Sequence, residues 1–325
     1  MTTFAILDVV RRKEVLDVFK PLEAYGKVFM FGENDREELW AALPEIEVLL
    51  IRLYSVDKEL LDRAVRLKAV IKAGVGVDHI DVESATERGI HVVISLGNHI
   101  SVAETAVMLM LSVARDLPLK NKNVNQNANV LGIELCEKTL GLVGAGRIGG
   151  HVAKIAGEGL GMKILVSDPY LSEEARKANN WISADIETLL RESDVVSIHC
   201  PATPETYHFI NKERLLMMKK DAILVNTSRG SIIDEASLVE VLKTGHLKGV
   251  GLDVVENEPL TSENPLLQID NVIVTPHRLA QTPDSTLRQA RNMFSSAVDI
   301  AQGRTPETSI NSKKIPSDKD RLNSK

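Results

Sequence analysis

Four polar side chains stand where apolar segments end in the second half of the chain, and their types suggest chemistry. Arg229 follows the run 222–226, Asp253 closes the run 249–253, Glu258 comes five residues later, and His277 follows the run 271–276. If those segments are parallel strands, their carboxyl ends lie along one edge of a sheet, where open α/β sheets bind ligands. We therefore expect these side chains to converge on one site.

This combination of an arginine, a carboxylate and a histidine fits hydride transfer to a 2-oxo acid. The planar guanidinium of Arg229 can bind the substrate carboxylate and polarise the neighbouring ketone. His277 can supply the proton as hydride reaches carbon, and Glu258 beside it would favour the protonated ring. Gly230 is expected to leave room for the arginine.

Each of the three residues also has an ordinary structural interpretation. Arg229 fits an ion pair with Asp234 or Glu235, Glu258 fits a turn cap, and His277 fits a loop histidine whose hydrogen bonds are satisfied. The convergence of all three on one sheet edge favours the catalytic interpretation.

A GxGxxG motif lies in the segment KTLGLVGAGRIGG, between an apolar strand and a helical pattern. Gly144 would make the sharp turn, Gly146 would let the backbone approach a pyrophosphate, and Gly149 would let the helix pack closely. Asp168, nineteen residues beyond Gly149, ends the next strand. Its carboxylate can accept hydrogen bonds from ribose hydroxyls and would repel a 2′-phosphate, which predicts NAD rather than NADP. A strand-end cap is the alternative for Asp168.

Short apolar runs alternate with helical patterns along the chain, which predicts parallel sheets covered on both faces. The first series of strands is predicted at 4–10, 27–31, 48–54, 68–74 and 91–95, with helices between them at 36–43, 57–65 and 81–89. Asp57 and Asp81 are expected to cap helices at their N-termini, and Gly89 to end one.

A second series of strands is predicted at 139–143, 163–168, 194–200, 222–226, 249–255 and 271–276. Before it comes a long helix at 101–118, ended by Pro118, and a polar surface loop at 120–130. After it come a last helix at 284–303 and a mobile polar tail at 311–325.

The fold class is therefore α/β, with two Rossmann-like or flavodoxin-like parallel-sheet domains and a cleft between them. Residues 101–283 form the predicted NAD-binding Rossmann domain. Residues 1–100 with 284–325 form the predicted substrate-binding domain, which is discontinuous in sequence because the final helix returns to it.

The composition of the 325-residue chain excludes several classes of protein. The net charge is −6 and no basic block offers a phosphate track, which argues against nucleic-acid binding. Cys136 and Cys200 are the two cysteines, too few for a disulfide framework or a zinc motif, which favours a reducing compartment and no metal. The apolar run 102–114 is too short for a bilayer, and the N-terminus does not have the order of a signal peptide. We expect a cytoplasmic protein without membrane contact.

These motifs, in this order and at this spacing, resemble the D-isomer-specific 2-hydroxyacid dehydrogenases, the group of phosphoglycerate dehydrogenase, hydroxypyruvate/glyoxylate reductase and formate dehydrogenase. The segments that carry the resemblance are KAGVGVDHID (72–81), GNHISVAETA (97–106), KTLGLVGAGRIG (138–149), DPY (168–170), HCPATPETYHFI (199–210), NTSRGSIIDE (226–235), GLDVVENEP (251–259) and VTPH (274–277).

The resemblance implies roles for residues that spacing alone does not assign. It implies Arg229, Glu258 and His277 as the catalytic trio. The implied substrate-binding residues are Val75, Gly76 and Asn98, together with Arg229 and His277. The implied cofactor-binding residues are Gly144, Gly146, Arg147, Ile148, Gly149, Asp168, His199, Cys200, Pro201, Thr227, Ser228 and Asp253, the last holding the nicotinamide carboxamide. A homodimer through the helix region 101–118 is also implied.

The expected function is thus an NAD-dependent oxidoreductase that interconverts a small 2-oxo acid and its D-2-hydroxy acid. An alternative on the same fold is an NADH-sensing, corepressor-like interaction protein. Two departures from the family pattern bear on specificity. The segment 125–138 has no tryptophan, and Arg278 stands where a small or apolar residue is common. Arg278 has two interpretations. It either binds a second anionic group on the substrate or is a solvated charge at the rim of the site.

Overall fold

Short apolar strands alternate with helices in the computed structural model, which describes residues 1–9, 12–32, 34–122 and 131–315. The chain divides into two compact units. The first unit combines residues 1–98 with 282–325, and the second spans residues 99–281. Every pairing between neighbouring strands is parallel, so the predicted α/β fold class is confirmed.

The first unit is built on a five-stranded sheet in the order β2-β1-β3-β4-β5. Its strands are β1 Thr2–Leu7, β2 Gly26–Phe31, β3 Val48–Ile51, β4 Ala69–Ala73 and β5 His91–Ser95, and its first four helices are α1 Lys13–Phe19, α2 Arg36–Ala42, α3 Lys58–Arg63 and α4 Val82–Glu87. Asp57 accepts a hydrogen bond from the Leu60 amide, and Asp81 accepts one from the Ser84 amide. Both predicted N-caps are therefore confirmed.

The second unit is built on a seven-stranded sheet in the order β12-β11-β10-β9-β6-β7-β8. Its strands are β6 Thr139–Val143, β7 Lys163–Ser167, β8 Ile182–Ser183, β9 Val195–Ile198, β10 Ile223–Asn226, β11 Gly249–Leu252 and β12 Val272–Val274. Its helices are α5 His99–Ala114, α6 Leu117–Lys122, α7 Arg147–Lys154, α8 Glu173–Ala178, α9 Ile186–Glu192, α10 Lys212–Met217 and α11 Glu235–Lys243. Apolar clusters cover both faces of this sheet, which explains why its central strands are continuously apolar.

Several strands end earlier than predicted because polar residues leave the sheet at their carboxyl ends. The run 4–10 ends as a strand at Leu7, since Asp8 has a left-handed backbone with φ +41°. The Asp8 carboxylate accepts hydrogen bonds from the amides of Arg52, at 2.7 Å, and Leu53, at 2.5 Å. These bonds turn the chain away after β3, so the predicted strand 48–54 stops at Ile51.

The single helix predicted at 101–118 is wrong, because two helices occupy this region. Helix α5 ends at Ala114, Asp116 has φ +50°, and Pro118 is the second residue of α6. Proline is tolerated in a first helical turn, where its missing N–H has no partner to lose, so it begins a helix here instead of ending one. Within the described residues, no helix combines the length and the apolar character that crossing a membrane requires.

The last helix, α12 Pro283–Ala301, belongs to the first unit. It begins with a capping box in which Thr282 accepts from the Ser285 amide while the Ser285 hydroxyl accepts from the Thr282 amide. Its buried face packs into an apolar cluster with β1, β3 and β4. The first unit is therefore complete only when this distant segment returns to it.

Of the two polar segments predicted to be loop and tail, residues 123–130 and 316–325 lie outside the described residues. The described start of the tail differs from this prediction, because Asn311 is packed into the first unit. This side chain is only 2% exposed. It accepts a hydrogen bond from the Val92 amide and donates to the Ile90 carbonyl and to the Thr86 hydroxyl, each at 2.9 Å. A saturated amide thus anchors a segment that has little apolar surface to bury.

We predict that Asn311→Ala destabilises the first unit by about 2–4 kcal/mol, because it removes the hydrogen-bond partner of the buried Val92 amide in β5 and of the Ile90 carbonyl just before that strand. Urea unfolding followed by Trp40 fluorescence in a Trp181→Phe background reports on this unit alone, since Trp181 lies in the second unit. Lys313→Ala, at an exposed position in the same segment, is the control. Equal unfolding midpoints for the two variants would contradict the prediction.

Candidate active site

Two of the three motif glycines are required by the packing of the second unit itself. Gly144 follows β6 with φ +91°, and a Cβ there would lie 2.9 Å from the Cys200 amide nitrogen. A Cβ on Gly149 would lie 2.3 Å from the Gly144 carbonyl oxygen. These glycines let α7 and the end of β9 approach the loop closely.

Gly146 differs from its two neighbours in the motif. It precedes α7, and a Cβ built on it would meet no atom of the described residues within 4 Å. The chain's own packing therefore gives no reason for a glycine at this position. An open backbone at the N-terminus of a helix fits a pyrophosphate that approaches from outside, as the motif predicts. Arg147 and Ile148 form the first turn of α7 beside it.

The carboxylate of Asp168 ties the glycine loop to the end of β7. One oxygen accepts from the Ala145 amide and the other from the Tyr170 amide, each at 2.8 Å. The strand-end cap that the sequence left open is thus present. A carboxylate oxygen can accept more than one hydrogen bond, so this role is compatible with ribose binding, which stays a prediction.

The segment after β9 supplies a neutral imidazole and a neutral thiol. Loss of solvation lowers the pKa of His199 to about 4, and its Nε2 lies 2.9 Å from the Ser197 hydroxyl. Burial raises the pKa of Cys200 to about 11, with a smaller contribution from the charge of Asp168. The Ser228 hydroxyl donates to the Cys200 carbonyl, which joins this segment to the loop after β10. Neither side chain carries charge at neutral pH.

Asn226, which the sequence analysis did not single out, shapes the loop that carries Arg229. It is fully buried at the end of β10. Its side-chain amide donates to the Arg229 carbonyl, and its carbonyl oxygen accepts from the Ser228 amide, both at 2.9 Å. The sequence signal that could have identified Asn226 is a polar residue at the end of an apolar core strand. Within the described residues, the neighbouring Thr227 hydroxyl is buried without a hydrogen-bond partner, which fits a site built for a ligand.

The half-buried guanidinium of Arg229 donates to the Ser228 carbonyl at 2.8 Å. Its two suggested ion-pair partners are engaged by other donors. Asp234 caps α11 by accepting from Ser237, and Glu235 accepts from the Glu256 amide at 2.9 Å and from Asn264 at 2.7 Å. The structure therefore gives both carboxylates structural roles that do not involve the arginine.

The structure gives Gly230 a reason to be glycine that the sequence analysis did not foresee. A Cβ on this residue would lie 1.9 Å from both the carbon and the oxygen of the Val255 carbonyl group. Glycine is needed here so that the backbone of residues 255–256 can cross the loop after β10. This crossing brings the turn 253–258 against the end of β10.

Glu258 and His277 come together at the ends of β11 and β12. A Glu258 oxygen lies 2.9 Å from His277 Nδ1, and the other accepts from the Val255 amide at 3.3 Å. The side chains are 39% and 45% exposed, so the pair faces solvent. His277 has φ +54°, a left-handed conformation that is uncommon outside glycine and that often marks functional positions.

Asp253 is buried at the end of β11 and bonds to residues that follow β12. It is 4% exposed, and one oxygen accepts from the Thr275 hydroxyl at 2.6 Å and from the Leu279 amide at 3.4 Å. Pro201 and Arg278 are exposed. The exposure of Arg278 fits both interpretations that the sequence left open.

The predicted substrate-binding residues Val75, Gly76 and Asn98 belong to the first unit. The first two follow β4 through Gly74, which has φ +108°, and Asn98 follows β5. All three thus stand past the carboxyl ends of neighbouring strands of the five-stranded sheet. Among the described residues of both units, no cluster of three or more His, Cys, Asp or Glu side chains could hold a metal ion.

Comparison with known proteins places this geometry in context. Residues 107–278 match the model of the D-isomer specific 2-hydroxyacid dehydrogenase, NAD binding domain. A D-3-phosphoglycerate dehydrogenase of Methanocaldococcus jannaschii is 39% identical over 310 residues, which cover 93% of this chain and 59% of that protein. A glyoxylate reductase of Korarchaeum cryptofilum is 38% identical over 265 residues, which cover 79% of this chain and 80% of that protein.

A solved structure agrees over nearly the whole chain. The D-lactate dehydrogenase of Aquifex aeolicus, complexed with NAD and lactic acid, superposes with a TM-score of 0.80 and is 30% identical. The match covers 92% of this chain and 96% of that one. By contrast, the chain spans only 50–59% of the length of three curated phosphoglycerate dehydrogenases that it matches.

The two kinds of motif glycine predict different effects of substitution. Gly149→Ala should destabilise the second unit by about 1–3 kcal/mol, because its Cβ overlaps a backbone oxygen. Gly146→Ala should leave the melting temperature nearly unchanged and weaken NADH binding at least about tenfold, since its Cβ enters the space left for the pyrophosphate. Thermal unfolding and fluorescence titration with NADH measure the two effects. Unchanged NADH affinity in Gly146→Ala would remove the argument for a pyrophosphate at this position.

The depressed pKa of His199 predicts acid sensitivity of the second unit. The unfolded chain takes up a proton near the ordinary histidine pKa of 6.5, whereas the folded protein does so only near 4. The unfolded state therefore binds more protons between these values, and stability falls as the pH drops from 6.5 to 4, by up to about 3 kcal/mol. Urea unfolding of a Trp40→Phe background, read by Trp181, should show this loss, and His199→Gln should reduce it. Parallel pH profiles would contradict the prediction.

Proposed function

The chain belongs to the D-isomer-specific 2-hydroxyacid dehydrogenases, and within that family we propose that it interconverts a small 2-oxo acid and its D-2-hydroxy acid. NAD is the cofactor of the matched domain. When bound, it accepts or supplies the hydride. The open backbone at Gly146 and the buried Thr227 hydroxyl are the features of this chain that fit such a group.

The observation that carries the proposal is the hydrogen bond between Glu258 and His277 on the sheet edge that also bears Arg229. Glu258 occupies Nδ1 of the ring, so Nε2 is the nitrogen that gives a proton to the substrate oxygen or takes it back. The carboxylate orients the ring through this hydrogen bond. Exposure of the ring lets the substrate reach it.

Arg229 is proposed to bind the substrate carboxylate and to polarise the ketone. Its carbonyl is held by the buried Asn226 side chain, so its backbone is fixed before any substrate arrives. A planar guanidinium suits two adjacent oxygens better than an ammonium does. Val75, Gly76 and Asn98 are proposed to bind the same carboxylate, on the strength of the family resemblance.

The other cofactor contacts are also proposals. Asp168 would accept from the ribose hydroxyls and so favour NAD over NADP, and Asp253 would hold the nicotinamide carboxamide. The wall of the cofactor site would be formed by the two segments that the Ser228 hydroxyl joins, residues 199–201 and 227–228. The neutral states of His199 and Cys200 suit such a wall, because neither would repel or compete for a charged ligand.

We also propose a cytoplasmic homodimer formed through the region 101–118. Ile100 and Met108 lie two helical turns apart on α5 and are 36% and 45% exposed, so they place apolar surface on one face of that helix. Both cysteines are free thiols, which suits a reducing compartment. The corepressor-like alternative is not favoured, since the relatives described above are named as dehydrogenases and a reductase.

The test is NADH oxidation with a panel of 2-oxo acids: glyoxylate, hydroxypyruvate, pyruvate, oxaloacetate, phosphonooxypyruvate and bulkier acids. Arg229→Ala should lower kcat/KM about 100-fold or more, with KM raised and kcat lowered together, because the same group binds and polarises. Arg229→Lys should retain part of the binding. The rank order of singly and doubly charged acids reports on Arg278.

Arg191→Ala is the matched control, because it removes an exposed arginine whose ion-pair partner, Glu187, lies one turn earlier on the same helix. No turnover of any acid despite NADH binding would sink the proposed reaction. Near-normal kinetics in Arg229→Ala would sink the role of the arginine.

A further inference from the structure

The turn 253–258 carries two imidazole–carboxylate pairs, and the proposed reaction uses only one of them. Glu258 meets His277, as described above. Two residues earlier, a Glu256 oxygen lies 2.6 Å from Nε2 of His208. The side chains of this second pair are 22% and 31% exposed, less than those of the first pair. Water therefore competes less with the bond between Glu256 and His208.

His208 is held in place independently of its carboxylate partner. Its backbone amide donates to the Ser231 carbonyl at 2.9 Å. Its ring stacks on Tyr207 with centroids 4.1 Å apart and an interplanar angle of 14°. Its φ of +48° is a left-handed conformation, which a non-glycine residue adopts only when its surroundings impose it. The imidazole is thus a fixed point against which a carboxylate can be positioned.

Glu256 needs such a fixed point because a second carboxylate lies against it. The Glu256 amide donates to Glu235 at 2.9 Å, and the Glu235 amide lies 3.5 Å from an oxygen of Glu256. Asn264 holds the other oxygen of Glu235 at 2.7 Å. Two neighbouring carboxylates repel each other unless a donor or a cation compensates.

Further acidic charge lies nearby. Hydrogen bonds from Ser237 keep the pKa of Asp234 below its usual value, and the charge of His208 acts in the same direction. Glu256 therefore contacts the imidazole directly, and Asp234 interacts with it through its charge. Among the described residues, Glu235 contacts Glu256 and not the imidazole.

The backbone beside Glu256 determines where Glu258 lies. The Val255 amide donates to the Glu258 oxygen that does not face His277. The same Val255 carbonyl group packs against Gly230 with no space for a Cβ. A shift of the backbone at 255–256 would therefore move the carboxylate that orients His277.

We propose that His208 is a positioning residue for the Glu258–His277 pair. By binding Glu256, it holds residues 255–256 at the place from which the Val255 amide orients Glu258. This inference rests on the proposed function only for its effect on turnover. Its structural content, a dependence of the His277 hydrogen bond on His208, holds without it.

Three variants separate the contributions of the ring. His208→Asn removes the contact with Glu256 while keeping a residue type that tolerates positive φ. His208→Gln keeps an N–H donor of similar reach without a positive charge. His208→Asn/Glu256→Gln removes the carboxylate charge that the first variant leaves uncompensated. Lys212→Met is the matched control, because it deletes an ion pair of 2.6 Å, to Glu240, in the same unit.

His208→Asn should lower kcat about tenfold, as expected for a small misplacement of a catalytic group, while KM for the oxo acid and for NADH stays within about twofold. His208→Gln should recover most of kcat, whereas the double variant should stay as low as His208→Asn, because removing the charge of Glu256 does not restore the link. A purely structural role would lower the melting temperature and leave kcat at 25 °C equal to that of Lys212→Met, which would overturn the proposal. Should His208→Asn not fold, Glu256→Ala breaks the same link and should show the same loss of kcat.

A readout that needs no turnover distinguishes this inference from the proposed function. The ring N–H proton between His277 and Glu258 should give a downfield NMR signal, assigned by its absence in His277→Gln. The signal should persist in His208→Gln and Lys212→Met and broaden or vanish in His208→Asn. This result without turnover of any oxo acid would refute the reaction and support the positioning. An unchanged signal in His208→Asn would overturn the positioning whatever the reaction.

Discussion

The close approach of two backbone segments at Gly230 is the contact on which the rest of the candidate site depends. The carbonyl group of Val255 occupies the space where any other residue would carry a Cβ. Because of this contact, the turn after β11 lies against the loop after β10, which carries Arg229. The same turn presents Glu258 to His277. A parallel sheet brings strand ends to one edge, but only this packing gives them a common geometry.

The same edge concentrates negative charge, and the structure compensates each carboxylate with a specific donor. The buried Asp253 accepts from the Thr275 hydroxyl, and Glu235 accepts from a backbone amide and from Asn264. Glu258 and Glu256 each bind a histidine instead. Neutral donors thus satisfy Asp253 and Glu235, and imidazoles bind the two carboxylates Glu256 and Glu258. This arrangement places two imidazoles beside carboxylates that are partly exposed to solvent.

Features with a local cause were predicted well from the sequence. The caps at Asp57 and Asp81 were confirmed because a capping side chain bonds an amide three residues away. Strand β6 and the glycine motif were placed correctly because turn, strand and helix follow directly in the chain. The predictions at Pro118 and Asn311 were wrong because the local sequence does not determine the structure at either residue. Proline is compatible with a helix start as well as an end, and the partners of Asn311 lie more than 200 residues earlier.

The sequence by itself determined the α/β class, the nucleotide loop and the chemical types that stand at the strand ends, because periodicity, capping and motif spacing act over a few residues. Only the tertiary structure decided why Gly230 is a glycine and that His208 meets Glu256 from 48 residues away. It also showed that Asn226 shapes the loop of Arg229. These contacts join loops that no local pattern relates. They form only when the packed sheet has brought the loops together. The fold as a whole, and not any single segment, therefore determines which residues make these contacts.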